Sequence, residues 1–281
     1  MVAYVSVLGP GRGGYCLQSF TTKNGQRIAY QRAGKGPPLV LLHGFICDSR
    51  AWRPQIEELS RDFDVIAWDA PGCGQSSDPP EEFTMAEFAD CLADLLDHTD
   101  VRSAHLLGLS WGGTLALEFF RLYPASVRSL TLADAYAGWT GSLGADVAAQ
   151  RLARCLRESE LPPQSWVPEW VPEAFSPRVP EQLLNDYAVI MSEFHPVGFR
   201  AMSRAVVPDF AETLSQVNAP VLLLWGEADS RSPLTCGQMM RDRIAGARLV
   251  VIPNAGHVSN LEQPDLFNAE VRRFVRGVEE G

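Results

Sequence analysis

A serine set between glycines, a distant aspartate and a distant histidine are the residues of this chain whose types and spacing could do chemistry. Gly108-Leu109-Ser110-Trp111-Gly112 spells Gly-x-Ser-x-Gly between a strand-like apolar run, 104–109, and a helical pattern, 111–123. A strand that turns directly into a helix strains its corner residue and holds that side chain out above the sheet edge. Neighbours two positions away on each side are crowded by the turn and need to lack a Cβ, which Gly108 and Gly112 satisfy. Ser110 would then lie at a helix N-terminus, where unpaired N–H groups favour developing negative charge. Such a hydroxyl becomes a nucleophile when an imidazole takes its proton and a carboxylate fixes the imidazole's tautomer. The bare pattern equally suits a surface loop with a capping serine, so the rest of the chain has to decide.

The elements around the motif place it. Residues 16–22 and 26–32 read as a hairpin about Asn24-Gly25, and further strands are expected at 38–42, 63–68, 104–109, 128–134, 220–225 and 247–252. Helical patterns fall between them, at 52–59, 84–96, 111–123 and 265–275, with Thr84 and Glu87 in capping-box spacing. Short alternation of strand and helix predicts a mostly parallel, eight-stranded α/β sheet with helices on both faces, and its sites gather at the C-terminal strand ends. His43-Gly44, Asp69 to Gly72, and Ser110 all lie at such ends. From about Gly138 to Val217 the alternation stops. Helical patterns at 145–158, 180–193 and 198–205, with proline-rich joints at 161–163 and 166–168, predict a helical insertion over the strand ends. The expected division is a core of 1–137 and 218–281 with a helical cap at 138–217, residues 1–14 forming a flexible lead-in.

His257 and Asp229 each follow a strand on the same predicted edge as Ser110, and the chain order Ser110, Asp229, His257 is the one that accompanies this elbow. His257 is therefore the expected base, since His105 lies within a strand, His98 on the opposite edge, His195 in the insertion and His43 in a loop of its own. Asp229 is the expected acid, with Glu227 and Asp134 as competitors. An oxyanion would need donors: the backbone N–H of Trp111 and of Phe45 are the expected pair. His43 and Asp69 read as residues that hold their own turns.

Composition bounds the partners. A net charge of −10 over 281 residues offers no basic face for nucleic acid or anionic lipid. No 18-residue apolar run could span a membrane. The apolar start, Met1 to Leu8, lacks a basic segment and is short for a signal sequence, so a cytoplasmic location is expected. Six cysteines, at 16, 47, 73, 91, 155 and 236, form neither a CxxC pair nor a metal-ligand spacing, and read as reduced, buried thiols. Gly9 to Gly14 spells Gly-x-Gly-x-x-Gly, but strand-like alternation follows where a dinucleotide site requires a helix. No cofactor and no metal is expected.

With these motifs in place, the chain resembles the α/β-hydrolase superfamily over nearly its whole length. The resemblance rests on His43-Gly44-Phe45, the Asp69-Ala70-Pro71-Gly72-Cys73-Gly74 turn, the Gly108-to-Gly113 elbow, Ala219-Pro220 leading to Gly226 and Asp229, and Gly256-His257. Within the superfamily it is similar to the small capped serine esterases, the enol-lactone hydrolases and the cofactor-free haloperoxidase-like proteins. That resemblance implies a cap between the sixth and seventh strands and a Ser110–Asp229–His257 triad. Dehalogenases and epoxide hydrolases of this fold use an aspartate nucleophile, where this chain has Ser110. The implied reaction is hydrolysis of a carboxylic ester or lactone through an acyl-enzyme. The alternative is a non-hydrolytic member: a ligand receptor or signalling protein, or a lyase or acyltransferase using the same triad.

The insertion is rich in large apolar side chains, most of which should be core. Trp139, Trp166, Trp170, Tyr187 and Met191 are the expected pocket lining, suiting a small, largely apolar substrate. Arginines 151, 154, 157, 200 and 204 read as solvated helix faces; one turned inward would point to a substrate bearing a carboxylate.

Overall fold

In the computed structural model, which describes residues 17–281, eight strands form one sheet. They are β1 (Gln18–Thr21), β2 (Arg27–Ala33), β3 (Pro38–Leu42), β4 (Asp64–Trp68), β5 (Ala104–Leu109), β6 (Val127–Ala133), β7 (Val221–Gly226) and β8 (Arg248–Ile252), in spatial order β1-β2-β4-β3-β5-β6-β7-β8. β2 pairs antiparallel with β1 and β4, and every pairing from β4 to β8 is parallel. β5 and β7 are buried along their full length, as unbroken apolar runs covered on both faces must be. The lead-in expected over 1–14, the glycine cluster within it and Cys16 lie outside the described residues.

Among the described residues twelve α-helices fill the intervals: α1 (Arg53–Leu59), α2 (Met85–His98), α3 (Trp111–Leu122), α4 (Trp139–Leu143), α5 (Ala145–Glu158), α6 (Val167–Ala174), α7 (Glu181–Ser192), α8 (Pro196–Val206), α9 (Ala211–Leu214), α10 (Leu234–Arg243), α11 (Ser259–Glu262) and α12 (Pro264–Glu280). α2 begins with a capping box: Glu87 N donates to the Thr84 hydroxyl, and the Glu87 carboxylate takes Thr84 N at 2.8 Å. α2 packs on α3, α1 packs on α12, and the two groups cover the sheet's faces. Among the described residues no helix is long and apolar enough to cross a membrane.

Between β6 and β7 the chain is helical throughout, from α4 to α9. One expectation there is corrected. The proline-rich joint at 166–168 opens a helix, α6, which carries Pro168 in its first turn and Pro172 inside. Proline at a helix start forfeits no hydrogen bond, and burial of Val167, Trp170, Val171 and Ala174 outweighs the one bond that Pro172 removes.

Candidate active site

The corner between β5 and α3 is a forced one. Ser110 has φ 54° and ψ −114°, far from the backbone wells of ordinary residues, a strain of roughly 1–3 kcal/mol that surrounding packing must hold. The packing is close: a Cβ at Gly108 would lie 2.3 Å from the Gly112 carbonyl oxygen, and one at Gly112 only 2.1 Å from that of Leu42. Glycine at both positions is thus a steric requirement of bringing helix, corner and β3 together. Ser110 N donates to the Ala133 carbonyl at 2.8 Å, which pins the corner to the end of β6.

Two other strand ends deliver the partners. His257, in the loop after β8, has Nε2 2.8 Å from Ser110 Oγ and Nδ1 2.9 Å from Asp229 Oδ2. The loop after β7 holds Asp229, whose other oxygen accepts from Arg231 N at 2.8 Å and Ser232 N at 2.9 Å. With Nδ1–H donated to the carboxylate, Nε2 is left as the acceptor facing the hydroxyl. All three side chains are buried, so the charge on Asp229 is stabilised by fixed donors instead of by bulk water.

The two competing carboxylates make other contacts. Glu227 accepts from Asn254 N at 3.1 Å on an exposed edge. Asp134, wholly buried, accepts from Gly226 N at 2.7 Å and from Ser259 Oγ at 2.6 Å. Burial first, and then the negative charge of Asp229, push its carboxyl well above the usual carboxylate range. It therefore ties the loop that carries Asp229 to the segment just after His257.

The loop after β3 lies against the corner. A Cβ at Gly44 would sit 3.7 Å from Ser110 Cβ, an ordinary contact. His43 braces this loop: its Nδ1 is 2.8 Å from the Gly44 carbonyl, and its Nε2 accepts from Ala70 N at 2.9 Å. Burial holds its imidazole below the ordinary histidine range, so it is neutral. Asp69 accepts from Ser49 N and Gln75 N, both at 2.9 Å. Burial, with the nearby Asp48 charge, pushes its carboxyl up to about 6. Phe45 N follows this braced turn, and Trp111 N opens α3; these are the two candidate donors toward an oxyanion.

A small chamber of about 30 Å³ lies over Ser110, lined by the strand-end loops below and the inserted helices above. Trp139, Trp170, Tyr187 and Met191 are in its wall. Trp166 is not. It lies behind Trp170, with ring centroids 5.6 Å apart, and packs equally on Phe194 and Phe199. An aromatic on an inserted helix can face either the chamber or the helix behind it, and Trp166 faces the second.

Other wall residues were not expected, among them Tyr136, Arg151, Val206 and Arg231. Tyr136 and Arg231 sit just past β6 and β7, so the convergence of strand ends could have found them. Arg151 had no such signal. Its side chain turns inward to donate to Tyr136 Oη at 3.0 Å and to the Arg231 carbonyl at 2.8 Å. Among the described residues no group of three or more His, Cys, Asp or Glu side chains could hold a metal ion.

Comparison with known proteins places this geometry. The model of the alpha/beta hydrolase family matches residues 39–270. The chain is 27% identical over 270 residues to 3-oxoadipate enol-lactonase 1 of Acinetobacter baylyi, covering 92% of this chain and 97% of that protein. Among solved structures it is similar to a thermophilic esterase from Thermogutta terrifontis, with a TM-score of 0.86 at 30% identity over 94% of this chain and 99% of the other. A hydrolase from Pseudomonas aeruginosa superposes with a TM-score of 0.84 at 29% identity and the same two coverages.

Proposed function

The chain belongs to the alpha/beta hydrolase family, and from that premise we propose that it is a serine hydrolase cleaving a carboxylic ester or lactone of a small, largely apolar substrate. The observation that carries this reading is the continuous path Ser110 Oγ to His257 Nε2, 2.8 Å, and His257 Nδ1 to Asp229, 2.9 Å. Relatives named as esterases and as an enol-lactonase support the same reaction class.

His257 Nε2 takes the Ser110 proton as Oγ attacks the substrate carbonyl carbon. The tetrahedral oxyanion is met by the N–H groups of Phe45 and Trp111, which the braced β3 loop and the start of α3 fix in advance. His257 then gives its proton to the departing alkoxide, leaving the acyl group on Ser110. Water, deprotonated by the same imidazole, attacks the acyl carbon, and the imidazolium gives that proton to Ser110 Oγ as the acyl–oxygen bond breaks and the acid leaves. Asp229 keeps the imidazole in the acceptor tautomer and stabilises it while it is protonated. No cofactor enters.

Residues 138–217 act as a cap. The 30 Å³ chamber has room for a water or two, so an ester enters only as lining side chains of the cap move aside, and Met191 is the most adaptable of them. The five described cysteines are free and buried, which supports a reducing, cytoplasmic setting. Hydrolysis of p-nitrophenyl butyrate, run beside a panel of lactones, tests the reading: turnover is expected. Saturable binding of these compounds without turnover would replace it with a receptor function.

A further inference from the structure

The turn after α6 runs against the loop that carries His257. Ala174 O, at the end of the helix, accepts from Val258 N at 3.2 Å. Phe175 and Ser176 press on Gly256: a Cβ there would lie 2.7 Å from both the Phe175 carbonyl carbon and Ser176 N. On the sheet side stands the end of β7, where a Cβ at Gly226 would strike the Gly256 carbonyl oxygen. The residue before His257 is thus held between the inserted segment and the sheet, and the residue after it is bonded to the inserted segment.

A carboxylate joins the two segments. Glu262, half-buried at the end of α11, accepts from Gly256 N at 2.6 Å and from Ser176 N at 3.0 and 3.2 Å. Hydrogen bonds to an ionised acceptor are the stronger class, and both donors here are main-chain groups, so the carboxylate fixes backbone against backbone. The connection runs on to the chamber over Ser110. Phe175 meets Tyr187 edge-on, with ring centroids 5.3 Å apart. Tyr187, Ala174 and Val258 share the chamber wall with His257. A substrate that pushes this wall aside therefore bears on the turn that holds the His257 loop.

We propose that Glu262 is a positioning residue for the hydrolase reading above, on which this rests: its carboxylate couples the seating of the cap to the placement of the His257 imidazole. Nε2 stands within proton-transfer reach of Ser110 while the turn after α6 is docked on Gly256. As the cap moves to admit an ester, Ser176 N leaves the carboxylate and Val258 N leaves Ala174 O, so the loop bearing the base is loosened on both sides of the imidazole. Redocking over the bound ester restores both bonds and closes the path from Ser110 to Asp229. Enclosure of the substrate and assembly of the base are then one event.

Steady-state kinetics on p-nitrophenyl butyrate, with kcat referred to the serine titrated by a p-nitrophenyl alkylphosphonate, distinguish this coupling from a local brace. Glu262→Ala frees both segments and should lower kcat by about a hundredfold with KM nearly unchanged, the scale of a small displacement at the reacting atoms. Glu262→Gln keeps an oxygen for Gly256 N but turns an amide N–H toward Ser176 N. It undoes the tie to the cap and should lower kcat by about tenfold, the scale of one charge-assisted hydrogen bond. Unchanged kcat in Glu262→Gln, whatever Glu262→Ala does, overturns the coupling, as does a loss carried by KM alone; either leaves the hydrolase reading standing. Should Glu262→Ala not fold, Glu262→Gln decides. Should the unaltered protein cleave no ester, the hydrolase reading fails by itself and amide hydrogen exchange decides the coupling: Ser176 and Gly256 N–H should share one opening equilibrium that Glu262→Gln separates, and independent exchange in the unaltered protein ends the proposal.

Discussion

The loops at the strand ends and the helices inserted above them make opposite walls of one small chamber, yet they answer to different physics. Below, backbone sterics decide. Gly108 and Gly112 leave no space for a Cβ, Ser110 is held at positive φ, and buried His43 and Asp69 lock the neighbouring turns through main-chain groups. Above, side-chain direction decides, and two aromatics one helical turn apart serve one as wall and the other as packing behind it. Trp170 faces the chamber while Trp166, one turn earlier, lies behind it. On the proposed reading, the chemistry rests on rigid, sterically specified backbone, and selectivity on a layer that can be re-aimed by substitution.

That contrast implies a hierarchy of effects. Asp229→Asn leaves the imidazole without the carboxylate that fixes its tautomer and should lower kcat for a p-nitrophenyl ester by about 10⁴-fold. Asp134→Asn should cost far less in kcat, because Asp134 bonds Gly226 N and Ser259 Oγ and not the imidazole. A reversed order in steady-state kinetics would make Asp134 the operative acid. In the upper layer, Trp170→Ala and Trp166→Ala should each destabilise by about 3 kcal/mol or more in denaturant titrations, as truncated buried indoles do. Only the first should change KM, by opening the wall. Equal KM changes in both would mean that the cap responds as a unit.

The smallest expected effect is a pH dependence of the lower layer. His43 is held neutral by burial, with its proton affinity below that of an unfolded histidine. Its contribution to stability is therefore complete above about pH 6.5, where the unfolded chain is also neutral there, and is lost as acid protonates the unfolded state first. The Tm difference between the protein and His43→Gln should accordingly shrink by a few degrees between pH 8 and pH 5, while His105, buried in both, cancels. A difference independent of pH would remove His43 as a titrating brace.

How much of this could be read from the sequence follows the same division. Strand alternation, the interruption after Tyr136 and the sheet's return at β7 are carried by long apolar runs, and all eight strands fall within about a residue or two of their expected spans. The meeting of Ser110, Asp229 and His257 was legible because parallel sheets gather their loops on one edge. α6 was hidden by its two prolines, which read as a joint. Arg151 was hidden because an arginine on an amphipathic helix ordinarily faces water; only the Tyr136 hydroxyl and the Arg231 carbonyl, far apart in sequence, turn it inward.

The central claim is that one hydroxyl, at the strained corner after β5, becomes covalently bonded to the acyl group. Reaction with a p-nitrophenyl alkylphosphonate, followed by mass analysis of peptides, measures this directly. The account predicts one equivalent of nitrophenol released and one phosphonate on the peptide containing Ser110, with neither seen in Ser110→Ala. Phosphonate found on any other residue, or ester turnover near the unmodified rate in Ser110→Ala, would contradict it.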